Sequence, residues 1–303
     1  MSFAVHLHLT NAATGTDLAK RRRRALERID RELSKGNFKT ALSLVKQLRC
    51  KRGGIRAFGT AKQVPKKLSS FDDLELSGTD LSVLRLLVDS VMDSVQSCSQ
   101  FALLDEISSK GTQRLTNVED REFSCEDYHY RCIQHEAGHF LVGYLLGVLP
   151  RGYNITSIED LKRDNFGIAR IEFVGLEFLK EIGSERMLSK DVMNNKGHRG
   201  KISSTNLNNF SCIILGGLVA EHILFGNSRG SRSDIDKLNR VLRWLGYTDI
   251  EAGVQVRWAV LNTAFILHHH NEARSKLAEA IALGKPVGFC IDAIENAISG
   301  EEC

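Results

Sequence analysis

Apolar residues recur every three to four positions along most of this 303-residue chain, the period of helices that bury one stripe. Leu26, Ile29 and Leu33 mark one helical arm, and Ala41, Leu42, Leu44, Val45 and Leu48 mark a second, with a break at Gly36-Asn37. Lys51–Lys67, with Gly53-Gly54 and Pro65, reads as a basic connector. Leu84, Leu87, Val91, Val95 and Cys98 predict a helix over Asp80–Ser108. That helix forms an oligomer seam or covers the region that follows, and the second reading is favoured because surface helices usually bury their stripe locally. Ile133, Ala137, Phe140, Leu141, Tyr144, Leu145 and Val148 predict a core helix. Ser124 and Asp127 open it in the form of a capping box, and Pro150 closes it. Residues 151–175 read as strand, polar turn and strand, with β-branched residues at Ile155-Thr156 and between Ile168 and Val174. The expected fold class is therefore mainly α with a small β-hairpin.

Composition narrows the function. The net charge of +4 is mild and concentrated before residue 70, so nucleic-acid binding is not inferred. Seven cysteines without a C-x-x-C pair suggest neither a disulfide framework nor a cysteine metal site. No phosphate-binding loop occurs, since Gly200-Lys201 is followed by Ile202, which has no hydroxyl for magnesium. The longest apolar stretch, Phe140–Pro150, is about half of the roughly twenty residues that cross a bilayer, so no transmembrane span is expected.

The chemistry lies in His135-Glu136-Ala137-Gly138-His139. Histidines four apart on a helix point the same way and can share one metal ion, while Glu136 can take a proton from a bound water. A third protein ligand is needed. Glu159 stands at the distance a thermolysin-like site requires, but its strand-and-turn context argues against it. A better candidate follows Gly216-Gly217-Leu218-Val219-Ala220-Glu221-His222-Ile223-Leu224-Phe225-Gly226, where a polar loop leads to Ser233-Asp234-Ile235-Asp236.

These three motifs resemble the peptidase domain of FtsH-type zinc proteases, over roughly residues 125–298. The resemblance implies one Zn2+ per chain held by His135, His139 and Asp234, with Glu136 as catalytic base. It also implies closing helices around Leu261–Leu283 and Val287–Ile298. Asp234 at a helix start would double as an N-terminal cap. Asp236 and Asp249 are fallback ligands, more commonly read as solvated charges. Phe58-Gly59-Thr60-Ala61-Lys62-Gln63-Val64-Pro65 resembles the stand-alone plant relatives that lack the ATPase motor. The chain departs from the family at His222, in the basic loop Asn227 to Ser233 and in the polar segment 176–208.

The expected organisation is a leader or disordered terminus at 1–18, a helical region at 19–120 and an FtsH-like zinc peptidase domain at 121–303. Residues 1–16 followed by Lys20-Arg21-Arg22-Arg23-Arg24 read as a transit-sequence remnant, a solvated basic helix face or a nuclear signal, the solvated face being favoured by composition. The plant resemblance implies a chloroplast location, with the cytoplasm as the alternative. The expected activity is zinc-dependent cleavage of unfolded or flexible polypeptide, without intrinsic ATPase. Partners compatible with this are a membrane-bound FtsH-type protease or another unfoldase, or a second copy of the chain. The alternatives are an inactive metal-binding scaffold or regulator of such a complex and a zinc hydrolase of small amides. The substrate strand is expected along Ile168–Val174. Cys132 either lines the site or is a small buried residue, the commoner case. His268-His269-His270 is read as structural, because consecutive helical residues diverge by about 100°. Trp244 and Trp258 are read as core or interface residues.

Overall fold

A computed structural model describes residues 3–49, 51–66, 81–108, 124–159, 169–176, 202–230 and 232–301. In chain order the elements are α1 (Phe3–Ser34), α2 (Phe38–Arg49), α3 (Leu81–Ser108), α4 (Cys125–Leu145), β1 (Pro150–Asn154) and β2 (Arg170–Phe173). Then follow α5 (Ser204–Ile214), α6 (Gly216–Phe225), α7 (Arg232–Trp244), α8 (Asp249–His269), α9 (Asn271–Ala282) and α10 (Val287–Glu301). Among the described residues the fold is mainly helical with one small antiparallel sheet, as the apolar pattern predicts. The 120/121 boundary, Ile168 and most of segment 176–208 lie outside the described residues.

The centre is α4. Every residue from Ile133 to Leu145 is buried, the mark of a helix surrounded by protein on all sides. It packs against α5, α6, α8, α9 and both strands. Ser124 caps it as predicted, its Oγ accepting from the Asp127 amide at 3.1 Å. Its end differs from expectation. The helix stops at Leu145 and turns at Gly147, where φ of +79° suits a residue without a Cβ, and Pro150 opens β1 instead of ending α4.

α4 and α6 cross where Gly138 meets Gly216. A Cβ on Gly138 would stand 2.3 Å from the Gly216 carbonyl oxygen, and one on Gly216 would stand 2.8 Å from that of Gly138. Only glycine at both positions lets the two backbones approach so closely.

The connector is built into the core. Ile55, Ala57 and Phe58 are buried, and the amides of Gly59 and Ala61 donate to the carbonyls of Tyr144 and Leu145 at 3.1 and 3.0 Å, satisfying the end of α4. The Val64 amide donates to Asn262 Oδ1 at 2.6 Å, and Trp258 Nε1 donates to the Val64 carbonyl at 2.8 Å. Buried Glu295 of α10 accepts from the amides of Arg56 and Ala57 and from the Tyr144 hydroxyl, at 2.7, 2.9 and 2.6 Å. Trp258 is a core residue, as expected, while Trp244 is only partly buried.

The first two helices form the predicted hairpin, turning at Gly36 with φ of +78°. α1 begins at Phe3, upstream of the basic run. Within that run Arg22 is not solvated. Its Nε donates to Asp292 Oδ1 at 2.7 Å and its Nη2 to Asn296 Oδ1 at 2.5 Å, which fastens α1 to α10. α3 buries Leu84, Val88, Val91 and Val95 and lies against α6, α7 and α8, the covering role favoured from its sequence.

Ser204–Phe225 is long and apolar enough to cross a membrane, and more so than Phe140–Pro150. It is divided at Leu215 into α5 and α6, and 78% of its apolar window is buried inside the protein.

Candidate metal centre

His135 and His139 stand one turn apart on α4, and Asp234 faces them from α7. The three side chains bring one atom each to a common point. His135 Nε2 lies 2.9 Å from His139 Nε2 and 3.0 Å from Asp234 Oδ2, and His139 Nε2 lies 3.2 Å from the same oxygen. All three residues are buried. Asp234 is the third residue of α7, not its N-cap, so the predicted capping role does not hold. Its carboxylate turns inward instead, with Oδ1 accepting from Lys237 Nζ at 2.8 Å.

The other ring nitrogens are committed. His139 Nδ1 donates to the Ile213 carbonyl at 2.6 Å, and His135 Nδ1 donates to Glu221 Oε1 at 2.7 Å. In neutral imidazoles those bonds leave both Nε2 atoms as acceptors facing a carboxylate oxygen. Three acceptors this close need a cation among them. The triangle is slightly tighter than the edge of about 3.3 Å expected for donors at about 2.0 Å around a tetrahedral ion, so the donor set fits one divalent metal ion.

Without an ion, a proton fills that need. Burial disfavours a charged His135, but hydrogen bonds to Asp234 and Glu221 outweigh it and push its imidazole up to about 10. Burial likewise opposes ionisation of Asp234, yet the His139 and His135 rings hold its carboxyl well below the usual carboxylate range. Binding a metal ion there would exchange it for a proton. Glu221 stays ionised in the same way, its burial offset by His135 and by the Arg229 amide, which donates to Oε2 at 2.9 Å.

Glu136 differs from its neighbours. Its side chain is buried, its Oε2 has no hydrogen-bond partner among the described residues, and one carboxylate oxygen lies within 4.8 Å of ligating atoms on both histidines. Burial raises its pKa, an effect partly countered by His139 and His135. A cavity of about 750 Å3 opens onto it, walled on one side by Ala169–Phe173 of β2 and its approach and on another by α7.

Gly217 completes the histidine mounting. A Cβ there would stand 2.3 Å from His135 Nε2, so the second glycine of the Gly-Gly pair makes room for the imidazole face. Gly217→Ala is expected to tilt the ring off the common point and weaken metal affinity by about 10- to 100-fold, as loss of an orienting group does. Competition with a chromogenic chelator measures this, and unchanged affinity would refute the packing argument.

The remaining candidates fall as follows. Glu159 is exposed and lines a separate cavity with β1, while Asp236 and Asp249 do not line the one at the centre. Cys132 does line it, against the commoner reading, and burial pushes its thiol up to about 11. His268 and His269 are exposed at the end of α8, with His269 stacked on Phe265, and the run belongs to no metal-holding cluster among the described residues. His222 is held through both ring nitrogens by Ser90 and Ser94 of α3, at 3.2 and 3.1 Å. Sequence reasoning assigned no role to Glu221, Ile213 or Lys237. Glu221 stood inside the quoted Gly-Gly motif, so its place beside that pair was the available signal.

Comparisons of the chain with protein-family models, with curated proteins and with solved structures each find no match.

Proposed function

We propose that the chain is a zinc-dependent metalloendopeptidase of the FtsH type that cleaves unfolded or flexible polypeptide. The observation that carries this reading is the convergence of His135 Nε2, His139 Nε2 and Asp234 Oδ2 within 3.2 Å, beside the unpartnered carboxylate of Glu136. Two imidazoles and one carboxylate with room for water are a catalytic zinc set. The same donors also suit non-haem iron. Glu136, one residue from a ligand and open to the cavity, favours hydrolysis over oxidation.

Bound there, zinc would polarise a peptide carbonyl and lower the pKa of a water molecule. Glu136 Oε2 would be the proton acceptor beside it and the group that passes the proton to a leaving amine. Glu221 and the Ile213 carbonyl hold the histidines in the tautomers that keep Nε2 available. Among the described residues β2 pairs only with β1, in the register Asn154 to Arg170 and Tyr153 to Ile171. An extended segment pairing with its other edge would run along the cavity, which suits unfolded substrates.

The test is hydrolysis by the full chain of an unfolded casein-type protein and of a stably folded protein of similar size. Cleavage of the unfolded one alone, abolished by a chelator and restored by one equivalent of zinc, is the expected result. Zinc bound without any cleavage would favour the inactive scaffold, and cleavage that survives complete metal removal would overturn the proposal.

A further inference from the structure

The charges around the cavity form a pattern that the hydrolytic reading leaves unused. Apart from Glu136, its carboxylates are engaged near the centre or with cations. Asp234 and Glu221 face His135, and Glu172 is paired with Arg151. Of the cations, Lys237 is paired with Asp234 Oδ1 at 2.8 Å and Arg131 lies 3.7 Å from Glu221, while Arg240 and Arg170 lie further out. On α7, Lys237 and Arg240 follow Asp234 at three-residue steps and also line the cavity. Helical rise puts their Cα atoms about 4.5 and 9 Å along the axis from that of Asp234. On another wall stands exposed Arg170, whose nearest carboxylate among the described residues, Glu172 at 4.0 Å, is already shared with Arg151. Arg240 Nε donates to the backbone carbonyl of Asp236, which leaves its charge uncompensated by that bond.

From this arrangement we infer that the cavity selects polypeptide segments carrying Asp or Glu within about three residues of the position held at the centre, since extended chain advances about 3.3 Å per residue. Arg240 meets acidic side chains on one wall and Arg170 meets them on the other, while Lys237 is held by Asp234. A divalent ion at the centre adds to the positive field, and lysine-rich segments are repelled. The inference names the substrate class of the proposed peptidase and rests on that reading for the course of the chain through the cavity.

Binding can be separated from cutting. Zinc-loaded full-length Glu136→Gln protein is titrated with three fluorescent peptides of one length and differing only in Glu, Gln or Lys at the flanking positions, and anisotropy is read at low and high salt. The Glu peptide is expected to bind at least about tenfold tighter than the Lys peptide in 50 mM salt, with the difference shrinking as salt screens it. The double variant Arg170→Glu/Arg240→Glu is expected to remove or reverse the preference while zinc content and thermal midpoint hold. Arg170→Glu alone is expected to reduce it, which keeps the test open if the double variant folds poorly. Equal affinities, no measurable binding of any peptide, or a preference untouched by Arg170→Glu would overturn the inference. A charge preference in binding, with no cleavage by wild type, would instead sink the peptidase reading and leave the acidic selectivity standing.

Discussion

Glu136→Gln is expected to lower hydrolysis of unfolded polypeptide by about 100- to 10,000-fold, the usual range for loss of a positioned general base. The amide has nearly the same shape and volume, so packing around a side chain that is only 3% exposed should survive. Neither the histidine contacts nor the Asp234 contact passes through Glu136. Zinc should therefore remain at one equivalent. The discriminating measurement is kcat on a peptide substrate beside metal content from the same preparation. A fall in both together would mean that Glu136 supports the centre structurally, and an unchanged rate would remove it from the chemistry.

Gly138→Ala carries the largest expected structural effect. The new methyl would meet the Gly216 carbonyl oxygen at 2.3 Å and the Ala220 Cβ at 2.7 Å, and the first of these is backbone that cannot rotate away. Relief requires α6 to move off α4, at a cost of about 3 kcal/mol or more, toward the upper end of overpacking penalties. The displacement also reaches the centre, because α6 carries Glu221, and the Ile213 carbonyl lies two residues before the α5–α6 junction. Urea unfolding should show a lowered midpoint, and zinc affinity should fall with it. A variant as stable as wild type would mean that the helices do not cross at these glycines.

The two histidines and Glu136 were readable from sequence because their relation is local: a four-residue step on a helix fixes which side chains share a face. The helices themselves followed from apolar spacing, and the Ser124 cap from its side chain and the acid three residues on. Asp234 was a different case. It lies 99 positions from His135, and only the motif resemblance pointed to it; its orientation depends on the start of α7, where the expected cap proved to be an inward-facing carboxylate. Glu221 went without a role because its contact with His135 exists only once Gly138 and Gly216 let two helix backbones touch.

The segment around Phe58 shows the opposite error. Its glycines, proline and lysines have the composition of a linker, and no hydrophobic period reports that Glu295 and Asn262 bind its backbone from distant helices. Arg22 was misread for the same reason. Its neighbours in sequence are cations, while its partners, Asp292 and Asn296, are 270 and 274 residues away.

Metal analysis of wild type beside Asp234→Ala tests the ligand set most directly. Both proteins would be stripped of metal, incubated with equimolar zinc and iron(II) under anaerobic conditions, desalted and measured by mass spectrometry of the elements. The account predicts one zinc per wild-type chain and almost none in Asp234→Ala, with both proteins folded. Full zinc retention by Asp234→Ala, or a wild-type centre that takes up iron and leaves zinc in solution, would contradict it.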